Sequence, residues 1–294
     1  MDTKRTTFNN RLLPYLLLAP QLAITLIFFI WPAAQAVKSS FEREDPFGFS
    51  TVFVGLAHYQ QLLADPNYLD SLWRTAVFAV SVTLLSMVLG LAFAAAVDRL
   101  TRTSKVYTTL LVWPYAVAPV VAGVLWWFLF NTSTGLLPFF LERFGILWDH
   151  DLNGTHAMIL IIIAAAWKQI SYNFLFFLAG LQSVPQALME AAAIDGSGPV
   201  KRFFTISLPL LSPTTFFLFI INVNYTMFDT FPIVDATTGG GPAQATTTLV
   251  YKVYQDGYVG LNLGSSSAQS VLLMLIVMLL TFVQFRFVER RVQY

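Results

Sequence analysis

The sequence predicts an all-α membrane protein of six transmembrane helices with both ends on the cytoplasmic side. Three observations carry that expectation. Mean hydropathy is +0.64 and only 11% of residues are charged, so the solvent for most of the chain is lipid. Six apolar stretches are each long enough to cross a hydrocarbon core of about 30 Å, which takes roughly 20 helical residues. Lysine and arginine gather in alternate loops, the asymmetry that sets orientation.

Span one is expected near Tyr15–Ala36, preceded by Lys4, Arg5 and Arg11. Ala34-Gln35-Ala36 resembles a signal-peptidase site, but the apolar stretch from Leu12 to Pro32 exceeds the roughly 7–15 residues of a secretory core. An uncleaved first span is therefore expected. The external segment from Lys38 to Ser71 mixes Glu42, Arg43, Glu44 and Asp45 with Phe47, Phe49 and Phe53. It reads as an amphipathic segment at the membrane surface, with its aromatics at headgroup level. Span two, near Leu72–Val97, is followed by Arg99, Arg102 and Lys105 on the cytoplasmic side.

Span three, Tyr107–Phe130, carries Pro114 and Pro119 beside Trp113, Trp126 and Trp127. Proline frees backbone carbonyls and kinks a membrane helix, which suits a gate or simple packing. Beyond it, Asp149-His150-Asp151 offers metal-ligand types, but adjacent residues rarely converge on one ion. A solvated loop and no metal site are expected.

Span four, His156–Gly180, holds Lys168, Tyr172 and Asn173. A lysine near mid-bilayer costs from about 2.5 kcal/mol upward, so it faces the bundle interior or a wet cavity. Either it lines a substrate path or it pairs with Asp229 of span five, Thr214–Val234. Asn222, Tyr225 and Asp229 stand at i, i+3 and i+7, one face of a helix. Such a polar stripe lines a cavity or bonds helices together. Lys168, Tyr172, Asn173, Asn222, Tyr225 and Asp229 are thus the candidate substrate path.

Thr238-Gly239-Gly240-Gly241-Pro242 forms a glycine-rich external segment before span six, Ser267–Phe287. It is no phosphate loop, because the pattern G-x-x-x-x-G-K-[ST] is absent throughout. The chain therefore cannot hydrolyse ATP alone, and no H-E-x-x-H, serine elbow or cysteine nucleophile supplies another reaction. Without cysteine there is neither a disulfide nor a thiolate metal site. A net charge of +1 carries no nucleic-acid signal. Lys201 and Arg202 mark the loop between spans four and five as cytoplasmic, and Arg286, Arg290 and Arg291 close the chain on the same side. The opposite loops carry fewer basic residues: Lys38, Arg43, Arg74, Arg143 and Lys252.

That fourth-to-fifth loop, about 181–213, is polar and helix-forming. Ser183 and Gln186 have capping-box spacing, and Pro185 fits a first turn. Gln186 to Ile194 are mostly strong helix formers; Ala191, Ala192 and Ala193 make the helix slim, and Gly196 stops it. After Gly198-Pro199 a second segment runs to Pro209. Helix, glycine break, second helix: this is a docking element.

The pattern E-A-A-x-x-x-G followed by I-x-L-P, filled by Glu190, Ala191, Ala192, Gly196, Ile206, Leu208 and Pro209, resembles the signature loop of permease subunits in binding-protein-dependent ABC importers. Phe53-Val54-Gly55-Leu56-Ala57-His58-Tyr59 and Thr238-Gly239-Gly240-Gly241-Pro242 are similar to elements of the sugar and glycerol-phosphate branch, although His58 replaces the usual asparagine. Further likeness to the glycerol-3-phosphate permeases lies in Trp113-Pro114-Tyr115, Trp167-Lys168-Gln169 and Phe228-Asp229-Thr230-Phe231-Pro232.

The resemblance implies one transmembrane permease domain over residues 1–294 in a bacterial inner membrane. It implies uptake of sn-glycerol-3-phosphate and related glycerophosphodiesters by alternating access, or of a neutral sugar or polyol in the same family. Implied partners are a second homologous permease in a heterodimer, two ATPase subunits and a periplasmic binding protein, with the lipid bilayer around them and no nucleic acid. ATP and Mg would sit on the ATPase subunits, leaving this non-catalytic chain without a cofactor. The ATPase would be coupled through Glu190, Ala191, Ala192, Asp195, Gly196, Ile206, Leu208 and Pro209. An ion-coupled secondary transporter would need more intramembrane carboxylates than Asp229 and a broken-helix repeat.

Overall fold

A computed structural model describes residues 12–45, 50–100 and 104–288 of the chain. Lys4, Arg5, Arg11, Arg102, Arg290 and Arg291, used above for orientation, lie outside the described residues, as do Phe47 and Phe49.

Two compact units emerge, Met1–Ala64 with Val253–Leu272, and Asp65–Lys252 with Leu273–Tyr294. The first contains α1 (Leu13–Ser39), which has no buried residue. A short antiparallel hairpin follows, β1 (Glu42–Glu44) against β2 (Thr51–Phe53), and then α2 (Ala57–Ala64). The expected surface segment is therefore not one amphipathic stretch. His58 is buried on α2 and its Nε2 donates to the Glu42 carbonyl at 3.1 Å, while Tyr59 donates to Ser40 Oγ at 2.7 Å. These bonds fold the segment back on itself.

In the second unit, α3 (Pro66–Asp98) starts where Asp65 caps the Asn67 N–H at 3.0 Å, with Pro66 in the first turn. α4 (Ser104–Ala116) and α5 (Pro119–Phe130) follow, then the short α6 (Leu136–Glu142). α7 (Gly154–Gln182) is capped by Asn153, which accepts from Thr155 and His156. After it come α8 (Gln186–Ile194), α9 (Pro199–Leu210), α10 (Ser212–Asp229) and α11 (Phe231–Thr237). Beyond these, α12 (Leu249–Tyr254) and α13 (Leu263–Arg286) complete the described chain.

Among the described residues four helices are long and apolar enough to cross a membrane alone: α1, α3, α7 and α13. The count reaches six if each of two bent pairs forms one span. Span three is such a pair, for α4 and α5 meet at 102° across Val117 and Ala118. The second pair, α9 and α10, meets at 66° at Leu211, just ahead of the expected span five, and a turn at Thr230 interrupts that span between α10 and α11. Each bend has a proline just past it, Pro119, Pro213 and Pro232, and proline has no N–H to donate to the carbonyl one turn back.

α3 and α7 form the densest helix pair. Ser86, Gly90 and Ala94, four residues apart on α3, are all buried. Lipid tails are as apolar as leucine, so small residues that allow close backbone approach hold such a pair together. Ala94, Val97, Phe174, Phe177, Leu211 and Leu218 share one cluster at the α3, α7 and α10 contact.

Candidate functional site

Two features stand out in the second unit. The first is the α8–α9 hairpin. The capping box expected at Ser183 is not formed. Ser183 still has helical backbone angles at the end of α7 and donates to the Gly180 carbonyl at 2.7 Å, leaving Pro185 as the N-cap of α8. The far end of α8 behaves as the sequence requires. Ser197 N–H donates to Ala192 O at 2.9 Å and Gly196 N–H to Ala193 O at 3.1 Å, a Schellman closure around Gly196 at φ +76°.

Arg202 of α9 donates from Nη1 to the Met189 carbonyl at 2.9 Å, which ties the second helix to the first. Glu190, Ala191, Asp195 and Gly196 are exposed, and Ile194 is 88% exposed. Ala192, Ile206, Leu208 and Pro209 are half-buried, the last three on α9 at the base of the hairpin. The result is a short helix with an uncovered surface on a braced stalk.

The second feature is a cavity of about 730 Å³ between α4, α5, α7, α10 and α11. Four of the six candidate path residues line it: Lys168, Tyr172, Tyr225 and Asp229. Among the described residues, Lys168 and Asp229 are the charged ones that line it. Gln169 and Asn224 add amides, and Tyr115 adds a third phenol.

The pairing considered for Lys168 and Asp229 is not made. Lys168 Nζ donates instead to the carbonyls of Tyr115 and Val117, both at 2.8 Å, and lies 5.2 Å from the Tyr115 ring centre.

Asn173 and Asn222 do not line the cavity. They exchange hydrogen bonds with each other at 2.8 and 3.0 Å, and Ser86 donates to Asn222 Oδ1 at 3.0 Å. All three are buried. The three-residue stripe on span five is split for a local reason. Tyr225–Asp229 form a π-helical turn, whose i→i+5 bonding takes residues beyond Tyr225 out of α-helical register. Asp229 thus turns to the cavity while Asn222 stays against α3 and α7.

Leucine at 222 would leave Asn173 Oδ1 without its donor, at a cost of about 1–3 kcal/mol, while the Ser86 hydroxyl keeps the Val82 carbonyl at 2.6 Å. The expected outcome is a lower unfolding midpoint in detergent for Asn222→Leu, partly restored by adding Asn173→Leu.

Sequence reasoning missed Tyr115, Gln169, Asn224, Phe228, Phe231 and Pro232 as cavity wall. The signal for Tyr115 was Pro119 four residues on. The signal for Asn224, which ends the α-helical part of α10 just before the π turn, was an amide inside an apolar span. Asp149-His150-Asp151 is a turn in which Asp149 Oδ1 accepts from the N–H groups of Asp151 and Leu152 at 3.0 and 2.9 Å.

Residues 86–294 match the family described as binding-protein-dependent transport system inner membrane component. The sn-glycerol-3-phosphate transport system permease protein UgpA of Rhizobium meliloti (strain 1021) is 59% identical over 291 residues, 99% of each chain. The protein of that name from Escherichia coli (strain UTI89 / UPEC) is 56% identical over 294 residues, the whole of both. Among solved structures, a bacterial ABC transporter involved in import of the acidic polysaccharide alginate shares the fold. Its TM-score is 0.81 at 18% identity, covering 95% of each chain. The matched span holds both the α8–α9 hairpin and the whole α7–α11 wall of the cavity. The chain belongs to the family of inner membrane components of binding-protein-dependent transport systems.

Proposed function

We propose that this chain is the permease subunit of an ATP-driven importer of sn-glycerol-3-phosphate and related glycerophosphodiesters. The carrying observation is the 59% identity along 99% of a relative with that permease name. The cavity is consistent with a small polyol ester: phenols, amides and one carboxylate can meet hydroxyls, and Pro119, Phe228 and Phe231 can meet carbon.

A periplasmic binding protein delivers the cargo to a heterodimer of this chain and a homologous permease, the pair forming one transmembrane domain each. Two ATPase subunits bind ATP and Mg and do the hydrolysis; this chain catalyses nothing and holds no cofactor. Their closure moves the α8 helix, where Glu190 pairs with a basic residue of the ATPase and Ala191 and Ala192 let the helix seat. Asp195 and Gly196 end that helix, and Ile206, Leu208 and Pro209 transmit its motion into α9 and α10. The cavity then opens alternately to the two sides, with Tyr172, Tyr225 and Asp229 on the cargo path.

This reading needs α8 in the cytoplasm and both chain ends beside it. The test is uptake of labelled glycerol-3-phosphate by proteoliposomes of the full complex, with vanadate sensitivity as control, and labelling of single cysteines. Leu152→Cys is expected to react from outside and Ile194→Cys only after permeabilisation, both sites being more than four-fifths exposed. External labelling at residue 194 would remove the coupling role. Uptake of a neutral polyol in place of glycerol-3-phosphate would reassign the cargo.

A further inference from the structure

A lone lysine in the wall of a cavity proposed for a phosphate ester invites assignment as the phosphate ligand. The hydrogen bonds point elsewhere. In an unbroken helix the carbonyl of Tyr115 would accept from the N–H of residue 119, but that residue is proline and has none. The carbonyl of Val117 lies in the break itself, between the end of α4 at Ala116 and the start of α5 at Pro119. A carbonyl without a donor at membrane depth is costly wherever water cannot serve it.

Lys168 Nζ reaches both, at 2.8 Å each, and its charge lies 5.2 Å from the Tyr115 ring centre. The ammonium has three donors, so two are committed to the backbone. The intramembrane charge and the broken backbone answer each other. The lysine gains acceptors of partial negative charge, and the 102° bend gains the one donor that Pro119 withholds from Tyr115 and a second for the Val117 carbonyl in the break.

We propose that Lys168 is a positioning residue, a clasp that fixes the break in the third span and with it the Tyr115–Pro119 wall of the cavity, and is not a ligand of the cargo. Transport depends on Lys168 through the shape of that wall. The kinetic part of the test takes glycerol-3-phosphate as cargo from the reading above, whereas the labelling and yield parts need no cargo. Failure of wild-type uptake would therefore count against that reading alone.

The test compares Lys168→Met and Lys168→Arg in the complete complex. Uptake by Lys168→Met is expected to lose about tenfold or more in maximal rate with KM within about twofold, the pattern of altered positioning rather than lost binding. Lys168→Arg, which keeps charged donors, is expected to recover most of the rate. Because the chain has no cysteine, Ala118→Cys reports on the break. Its maleimide labelling without cargo should change at least threefold in the Lys168→Met background and little in Lys168→Arg.

If Lys168→Met lowers the yield of assembled complex, adding Pro119→Ala should restore it. Alanine returns the missing N–H to the Tyr115 carbonyl, yet a straightened span should still not transport. A tenfold rise in KM with unchanged labelling at residue 118 would make Lys168 a cargo ligand and overturn the proposal. So would unchanged labelling with wild-type kinetics, or a yield loss that Pro119→Ala leaves in place.

Discussion

Gly196→Val is expected to abolish uptake while leaving the chain inserted and folded. Gly196 sits at φ +76°, where a β-branched residue is strained by about 1–2 kcal/mol. A Cβ built at this position meets nothing within 4 Å, so the effect is confined to backbone angles. Relief requires opening the Schellman closure, which frees the bonds from Ser197 and Gly196 and lets α8 swing off its stalk. Gly196 is exposed and is not part of the buried cluster of α3, α7 and α10. Stability of the purified chain should therefore fall by no more than about that strain, while copurification of the ATPase and cargo-stimulated hydrolysis are lost.

Glu190→Lys should act on the same docking without disturbing the fold, since Glu190 is exposed. Loss of one charge-assisted contact, of about 1.5–3 kcal/mol, weakens ATPase binding on the order of tenfold to a hundredfold. Normal ATPase stimulation in both variants would reduce the hairpin to a connector.

Gly90→Val should instead fail before transport. A Cβ at Gly90 would stand 2.7 Å from Asn173 Cβ, 3.2 Å from the Asn173 carbonyl carbon and 3.1 Å from the Phe174 nitrogen. Two of those atoms are backbone, so no rotamer change gives room and α7 itself must move. Overpacking of this kind costs about 1–3 kcal/mol, and disturbing the adjoining amide pair adds about 1–3 more. The expected result is a chain several-fold less abundant in the membrane, with a lower unfolding midpoint in detergent. Gly198→Val is the control, because a Cβ there meets nothing within 4 Å and its φ of −68° suits any residue. Equal abundance of the two variants would mean that the α3–α7 approach is looser than described.

What the sequence made legible follows from the physics that wrote it. Hydrocarbon admits long apolar helices and little else, so α1, α3, α7 and α13 stand within a few residues of their expected spans. Gly196 was legible because one backbone conformation excludes most other residues. A proline kink is expected in span three, but hydropathy cannot say that it breaks the helix through 102° at Val117 and Ala118. Span five reads as one stretch, and Pro232 carries the warning of the turn at Thr230. Ser183 shows a different limit. Its spacing to Gln186 satisfies a capping box, but Ser183 is the C-cap of α7 and its hydroxyl is taken by the Gly180 carbonyl. The partner sought for Lys168 was a carboxylate, whereas the answer lay in asking which carbonyls lacked a donor.

The amide pair between Asn173 and Asn222 also constrains how the second unit can move. Sliding α7 along α10 by a single turn would displace the two amides by about 5.4 Å and strand their donors and acceptors where no water reaches. Rotation about the pair keeps both bonds. The contact therefore acts as a hinge pin: it opposes axial piston motion of either helix at this level more than it opposes tilting. Whatever stroke the ATP cycle delivers to these helices must arrive at Asn173 and Asn222 as leverage, with the longest travel at the membrane faces and the shortest at the pin.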